Sequence, residues 1–267
     1  MQRMFVFDHL GHWITRRLQS ESSGYQPYTP SDPEVLRKVL RPGDVLLIEG
    51  NQKISVGIKY LTQSTWSHAA LFVGNAAPAV DAATREEFGL IEVLVADGCI
   101  AVPLSKYETF NTRICRPMGL SDDERAQVVD YMIGKIGTRY DLKNIIDLAR
   151  FLFPTPPVPV RWRRRMIALG SGEPTRAICS SLIAQAFQSV RYPILPSVED
   201  EAGHRPFVPS PYSRDEILHI RHHSLFTPRD FDLSPFFEVI KPTLESGFDH
   251  RRLKWSHHGP QVGGAAE

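Results

Sequence analysis

Several absences narrow this chain before any motif is read. Cysteine is scarce: Cys99, Cys115 and Cys179 are the only three, widely spaced with no CxxC pair, which argues against a disulfide framework or structural zinc site and fits a reducing compartment. Neither sign of charge prevails. With 31 Lys and Arg against 30 Asp and Glu, the net charge of +1 lacks the basic excess of a general nucleic-acid binder, so no nucleic-acid partner is expected. GxxxxGK and GxGxxG are both missing, which removes a phosphate cradle and a dinucleotide site, and no cofactor is expected. HExxH is missing too. His219, His222 and His223 with Glu216 could share a helical face and mimic a metal site, but without that motif they read as a solvated helix end, and no metal is expected. No apolar run reaches the roughly 18 residues of a membrane span. The N-terminus has no secretory h-region or small-residue cleavage site, so the expected location is the cytoplasm.

What is present reads as an ordinary globular chain. At 267 residues, 42% hydrophobic and 23% charged, it can bury a full core, and one large domain with excursions accommodates it. In residues 4–18, Phe7, Leu10, Ile14 and Leu18 fall on one helical face flanked by Arg3, Arg16 and Arg17. That segment is either a peripheral contact with the inner face of the membrane or a helix packed on protein. Residues 1–31 are thus a helix and linker, 32–245 the main domain, and 246–267 a disordered tail. No internal repeat occurs, and oligomeric state leaves no mark.

Within the domain, short apolar runs at 45–48, 67–73, 89–96, 100–103 and 113–116 are bounded by turn residues, which suggests an antiparallel meander. Short helices are expected at 34–40 and 54–61. After Gly119, Ser121-Asp-Asp-Glu124 is a capping-box start, and apolar spacing carries a helix to Gly137, followed by an apolar helix over 145–152. Residues 153–176 form a Pro- and Arg-rich excursion. Its Arg161, Arg163, Arg164 and Arg165, interleaved with Trp162 and Met166, read either as a solvated face or as a contact for an anionic headgroup or acidic substrate. Residues 192–212 look irregular, and 226–231 and 234–237 look like capped turns.

The chemistry gathers at residues 178–190. Ile183, Ala186, Phe187 and Val190 recur at helical spacing, and Ser180 and Ser181 supply first-turn hydroxyls. Cys179 therefore falls at a helix N-terminus, where the dipole and unpaired N–H groups favour a thiolate. His68 lies in a small, apolar strand, where a buried imidazole needs a partner. Alone it would read as a core histidine, and Glu92 as a strand-end charge facing solvent. If their strands pair, Glu92 accepts a ring N–H of His68, and the chain then holds the nucleophile, base and orienter that acyl transfer requires. Cys99 and Cys115 read as buried small hydrophobes.

The ordered set Gly43-Asp44-Val45-Leu46, Thr65-Trp66-Ser67-His68, Ile91-Glu92, Gly137-Thr-Arg-Tyr140-Asp141 and Cys179-Ser180-Ser181-Leu182-Ile183 resembles the permuted papain-like amidases (YiiX-like). These are a circularly permuted branch of the NlpC-type cysteine peptidases, related to the lecithin:retinol acyltransferase group. The resemblance covers residues 42–190, with an echo at 226–237. It implies an α+β, papain-like, circularly permuted fold in which an antiparallel sheet packs against the helix carrying the nucleophile. By motif it implies Cys179 as nucleophile, His68 as general base and Glu92 as its orienter. Tyr140 would line the substrate site, with Ser67 and Ser180 as further substrate-binding residues. Many unpermuted relatives have Asp before the cysteine and Gly two residues after it; here those positions are Ile178 and Ser181. The expected function is hydrolysis of an amide bond, in a peptide or an amidated or acylated small substrate, through an acyl-enzyme. The alternatives are a lipid acyl hydrolase or acyltransferase at a membrane surface, and a non-catalytic binding module of the same fold.

Overall fold

At Arg41-Pro-Gly-Asp44 the chain must reverse into its central strand, and each residue type serves that turn. Gly43 takes a φ of +90°, in the left-handed region that side chains disfavour, while Asp44 accepts the backbone N–H of Arg41 at 2.8 Å. The same carboxylate is gripped by the guanidinium of Arg116, at 3.0 and 2.8 Å. Val45–Ile48 (β1) follows, buried on both faces. In this computed structural model the described residues are 33–77, 89–94, 97–138, 178–195, 197–200, 216–219 and 226–242, with a few isolated positions between and beyond them. The helix expected at 4–18, Tyr140, the helix at 145–152, the 153–176 excursion with its four arginines, and most of the tail lie outside the described residues.

A strand buried on both faces and both edges needs two neighbours. His68–Phe72 (β2) and Thr112–Pro117 (β5) flank β1, both antiparallel to it. Leu90–Leu94 (β3) and Gly98–Val102 (β4) continue outward from β2, and Phe237–Ile240 (β8) pairs with β5. The sheet order is β4-β3-β2-β1-β5-β8. The first four strands are the expected meander. β5 departs from it: rather than adding to β4, it crosses back to the open edge of β1, because a strand as apolar as Val-Leu-Leu-Ile cannot be left as an edge. Residues 234–237, expected to be only a turn, lead into β8.

Helices cover both faces, which is why the strands read as continuous apolar runs. On one face Val45, Leu47, Ala69, Leu71, Ile91 and Val93 pack with Asp122–Ile133 (α3) and Ile178–Ser189 (α4). On the other, Leu46, Ile48, Ala70, Phe72 and Leu90 pack with Pro33–Val39 (α1) and the 3-10 turn Leu104–Tyr107. Lys53–Thr62 (α2) links β1 to β2. The capping box of α3 forms as its sequence indicates, with Ser121 Oγ accepting from Glu124 N–H and Glu124 accepting from Ser121 N–H at 2.9 Å. This helix ends at Ile133, short of Gly137, because the backbone there turns to β4: Gly137 N–H donates to Cys99 C=O at 2.9 Å and Cys99 N–H to Thr138 C=O at 3.0 Å.

Two expectations of irregular or helical backbone fail near the C-terminus. Ser197–Asp200 (β6) and Glu216–His219 (β7) form a two-stranded antiparallel ribbon. Glu216 and His219 therefore lie on a strand and not on a helix; a four-residue apolar-polar run is too short for period 2 to be told from period 3.6. Pro228–Asp232 (α5) matches its capped-turn signal, with Thr227 and Asp230 closing a capping box.

Candidate functional site

Cys179 is the second residue of α4, a 12-residue helix that packs on β2 and β3. Its side chain is 5% exposed. Burial alone would push the thiol up, but the positive charge of His68, a hydrogen bond with its ring, and the backbone N–H groups of Ala69 and Ser180 outweigh that and hold it below its ordinary value. The first turn of a helix and the opening of a strand thus converge on one sulfur.

His68 opens β2. The segment leading to it is fixed from several sides: Trp66 donates from Nε1 to Asp232 at 3.1 Å, Arg113 donates to the same carboxylate at 2.6 Å, and the guanidinium lies 4.9 Å from the indole centre. Ser67 N–H donates to Ile48 C=O at 3.1 Å, and Ser67 Oγ accepts from Gly50 N–H at 2.9 Å. A Cβ on Gly50 would overlap the Ser55 hydroxyl and lie 2.9 Å from Ser67 Oγ, so only glycine permits this approach.

Glu92 sits directly opposite Ala70, two residues along β2 from His68, so the two side chains share a face as diagonal neighbours. His68 Nε2 is 2.7 Å from Glu92 Oε2, which leaves Nδ1 for the thiol. Glu92 is fully buried, which removes the reading of it as a solvent-facing charge. Burial would raise its carboxyl, yet the hydrogen bond and charge of His68, together with Lys106, bring it down to about 2. Burial likewise works against a charged His68, but the thiolate of Cys179 and the Glu92 carboxylate raise it to about 10. The two shifts run in opposite senses, each group favouring the charged form of the other. Cys99 and Cys115 differ: both are fully buried, and burial pushes Cys99 up to about 11 and Cys115 higher still.

Two residues that the motif reading passed over complete the carboxylate's surroundings. Lys106 donates from Nζ to Oε1 and Tyr107 from its hydroxyl to Oε2. The signal available for them was indirect: a carboxylate placed in an apolar strand needs donors, and Lys-Tyr ends the turn that follows β4. Ser180 and Ser67, expected beside the substrate, are both buried, and their hydroxyls bind the protein's own backbone. Ser180 Oγ donates to Phe226 C=O at 2.9 Å, while its N–H serves the sulfur. Ser181 Oγ, expected as another first-turn hydroxyl, is buried without a partner among the described residues. Among the described residues no group of three or more His, Cys, Asp and Glu could hold a metal ion, and no helix is long and apolar enough to cross a membrane.

No model of a known protein family matches the chain, and no curated protein matches it in sequence. Among solved structures, it is similar to the metalloprotein YiiX of Escherichia coli O157:H7, at 13% sequence identity and a TM-score of 0.44, over 75% of this chain and 96% of that one.

Proposed function

We propose that this chain is a cysteine-dependent hydrolase that cleaves an amide bond through an acyl-enzyme on Cys179. The observation that carries the reading is the continuous contact from the Cys179 thiol to the His68 ring to the Glu92 carboxylate, with a helix N-terminus at the sulfur. The thiolate attacks the carbonyl carbon, forming a C–S bond. The carbonyl oxygen takes up the electron pair, and backbone N–H groups at the start of α4 would serve as its donors. As the C–N bond breaks, His68 gives its proton to the leaving nitrogen. A water then loses a proton to His68, adds to the thioester carbon, and releases the carboxylic acid and the thiolate. Glu92 holds the ring so that Nδ1 keeps facing the sulfur.

An order of base, orienter and then nucleophile along the chain agrees with a circularly permuted papain-like domain, which we assign to residues 32–245. Tyr140 remains the proposed substrate-lining residue. The lipid-acyl alternative rested on residues 4–18 and on Arg161, Arg163, Arg164 and Arg165, and the described geometry adds nothing specific to it. The test is to incubate the full chain with a cell extract, quench in acid and weigh the intact protein. An added acyl mass localised to Cys179, absent from Cys179→Ala and much reduced in His68→Ala, is expected. A wild-type protein that never gains a thioester mass, while still turning over a model amide, would refute covalent catalysis by this residue.

A further inference from the structure

Glu92 has more donors than an orienting carboxylate requires. Its two oxygens accept from three side chains: His68 Nε2 and the Tyr107 hydroxyl on Oε2, and Lys106 Nζ on Oε1. Lys106 and Tyr107 are adjacent in the 3-10 turn Leu104–Tyr107, which straddles the carboxylate and serves one oxygen with each residue. Tyr107 is buried, its ring set edge-on against Phe110 at 5.6 Å, whereas the Lys106 side chain is about a third exposed. Along this line of contacts the charges alternate: Lys106 positive, Glu92 negative, His68 positive, Cys179 negative.

This order has a chemical consequence. A carboxylate buried with an imidazolium as its sole donor has an easy escape from its own desolvation, which is to take the ring proton. The result would be a neutral acid and a neutral imidazole, leaving the sulfur without its positive neighbour and so readier to take up a proton from solvent. Two further donors, one of them a full positive charge, satisfy the carboxylate as an anion and make that transfer unfavourable. Among the described residues, charged and titratable groups face the pair from four elements. His68 faces from β2, Lys106 and Tyr107 from the turn after β4, Cys179 from α4, and Cys99 of β4 feels the Glu92 charge from the other face of the sheet.

We propose that Lys106 and Tyr107 are positioning residues that keep Glu92 a bare carboxylate, so that the proton stays on His68 and Cys179 stays a thiolate. The proposal rests on the cysteine-hydrolase reading of the site. Burial, the charge of Glu92 and its hydrogen bond all raise the Tyr107 hydroxyl, which therefore remains a donor across the working range. Removing the Lys106 charge leaves the cluster one unit more negative, and every acid within reach then holds its proton more tightly.

The test follows the ultraviolet absorbance of the thiolate against pH in the full chain, with Cys179→Ala as the blank, for wild type, Lys106→Met, Lys106→Arg and Tyr107→Phe. Lys106→Met is expected to move the Cys179 inflection upward by about one pH unit. Tyr107→Phe should move it in the same direction, and Lys106→Arg should leave it at the wild-type position. Should Lys106→Met not fold, the Tyr107→Phe shift decides. Folded variants that titrate like a depressed wild type overturn the positioning role alone, as does a Lys106→Met shift that Lys106→Arg fails to reverse. A wild-type inflection at the ordinary thiol value has a different meaning, because it removes the catalytic reading itself.

Discussion

Glu92 is the residue on which the site's electrostatics turn, since a fully buried carboxylate is tolerated only with its charge answered. Its carboxyl sits at about 2 when folded against an ordinary 4.5, so folding favours the ionised form. The corresponding stability is complete above about pH 4.5 and is lost as the pH falls toward 2. Glu92→Gln should therefore flatten the acid limb of a thermal-stability profile, with wild type and variant converging at low pH. At pH 7 it should cost about 3–5 kcal/mol, as expected when one partner of a buried charged cluster is removed. Parallel profiles offset by a constant amount would show that the carboxylate is not held in this way. His68 obeys the opposite sign: its pKa is raised to about 10, so its contribution is fully present below pH 6.5 and disappears as the pH climbs through 10.

At the scale of elements, α4 holds Cys179 against His68 because its inner face is anchored. Phe187, fully buried two turns beyond Cys179, meets Tyr192 at 5.6 Å, Phe231 at 6.4 Å and Phe237 at 5.2 Å between ring centres. Ser180 reaches the carbonyl of Phe226, so α5 and β8 brace the helix that bears the Cys179 sulfur. Phe187→Ala is predicted to destabilise the fold by about 3–5 kcal/mol in denaturant titration. In whatever fraction remains folded it should slow Cys179 alkylation, because the helix start loses its register against Ala69. Much at this scale was legible in the sequence. The turn at Gly43-Asp44, the box at Ser121 and Glu124, and the period of Ile183, Ala186 and Phe187 are local signals, and each produced the element it announces. β7 and β8 were not legible, being four residues each and identified as strands only by partners distant in sequence. Lys106 and Tyr107 were missed for the same reason: nothing in Leu-Ser-Lys-Tyr shows that the carboxylate of β3 lies beneath it.

Across the whole molecule, the sheet separates what the site joins. Cys179 belongs to the face covered by α3 and α4, and Glu92 to the opposite one, where Tyr107 also packs. His68, at the open end of β2, is the group that touches both. The pairing of strands β2 and β3 was foreseeable from two apolar runs each carrying one polar residue. The crossing of β5 to the far edge of β1, which completes the floor beneath that end of the sheet, depends on a global choice of neighbours that local pattern cannot express. Such an arrangement makes the chemistry a property of the folded whole: no single segment contains two members of the set.

The central claim is that Cys179 is a thiolate held by a His68 that Glu92 orients, and the most direct measurement is the rate of iodoacetamide alkylation of each cysteine against pH, read by peptide mass. Cys179 should react stoichiometrically at neutral pH and keep its rate well below the ordinary thiol value, while Cys99 and Cys115 stay unmodified in the native protein. His68→Ala should return Cys179 to an ordinary thiol profile. If Cys179 is no faster than the other two at pH 7, or if His68→Ala leaves its profile unchanged, the account is contradicted.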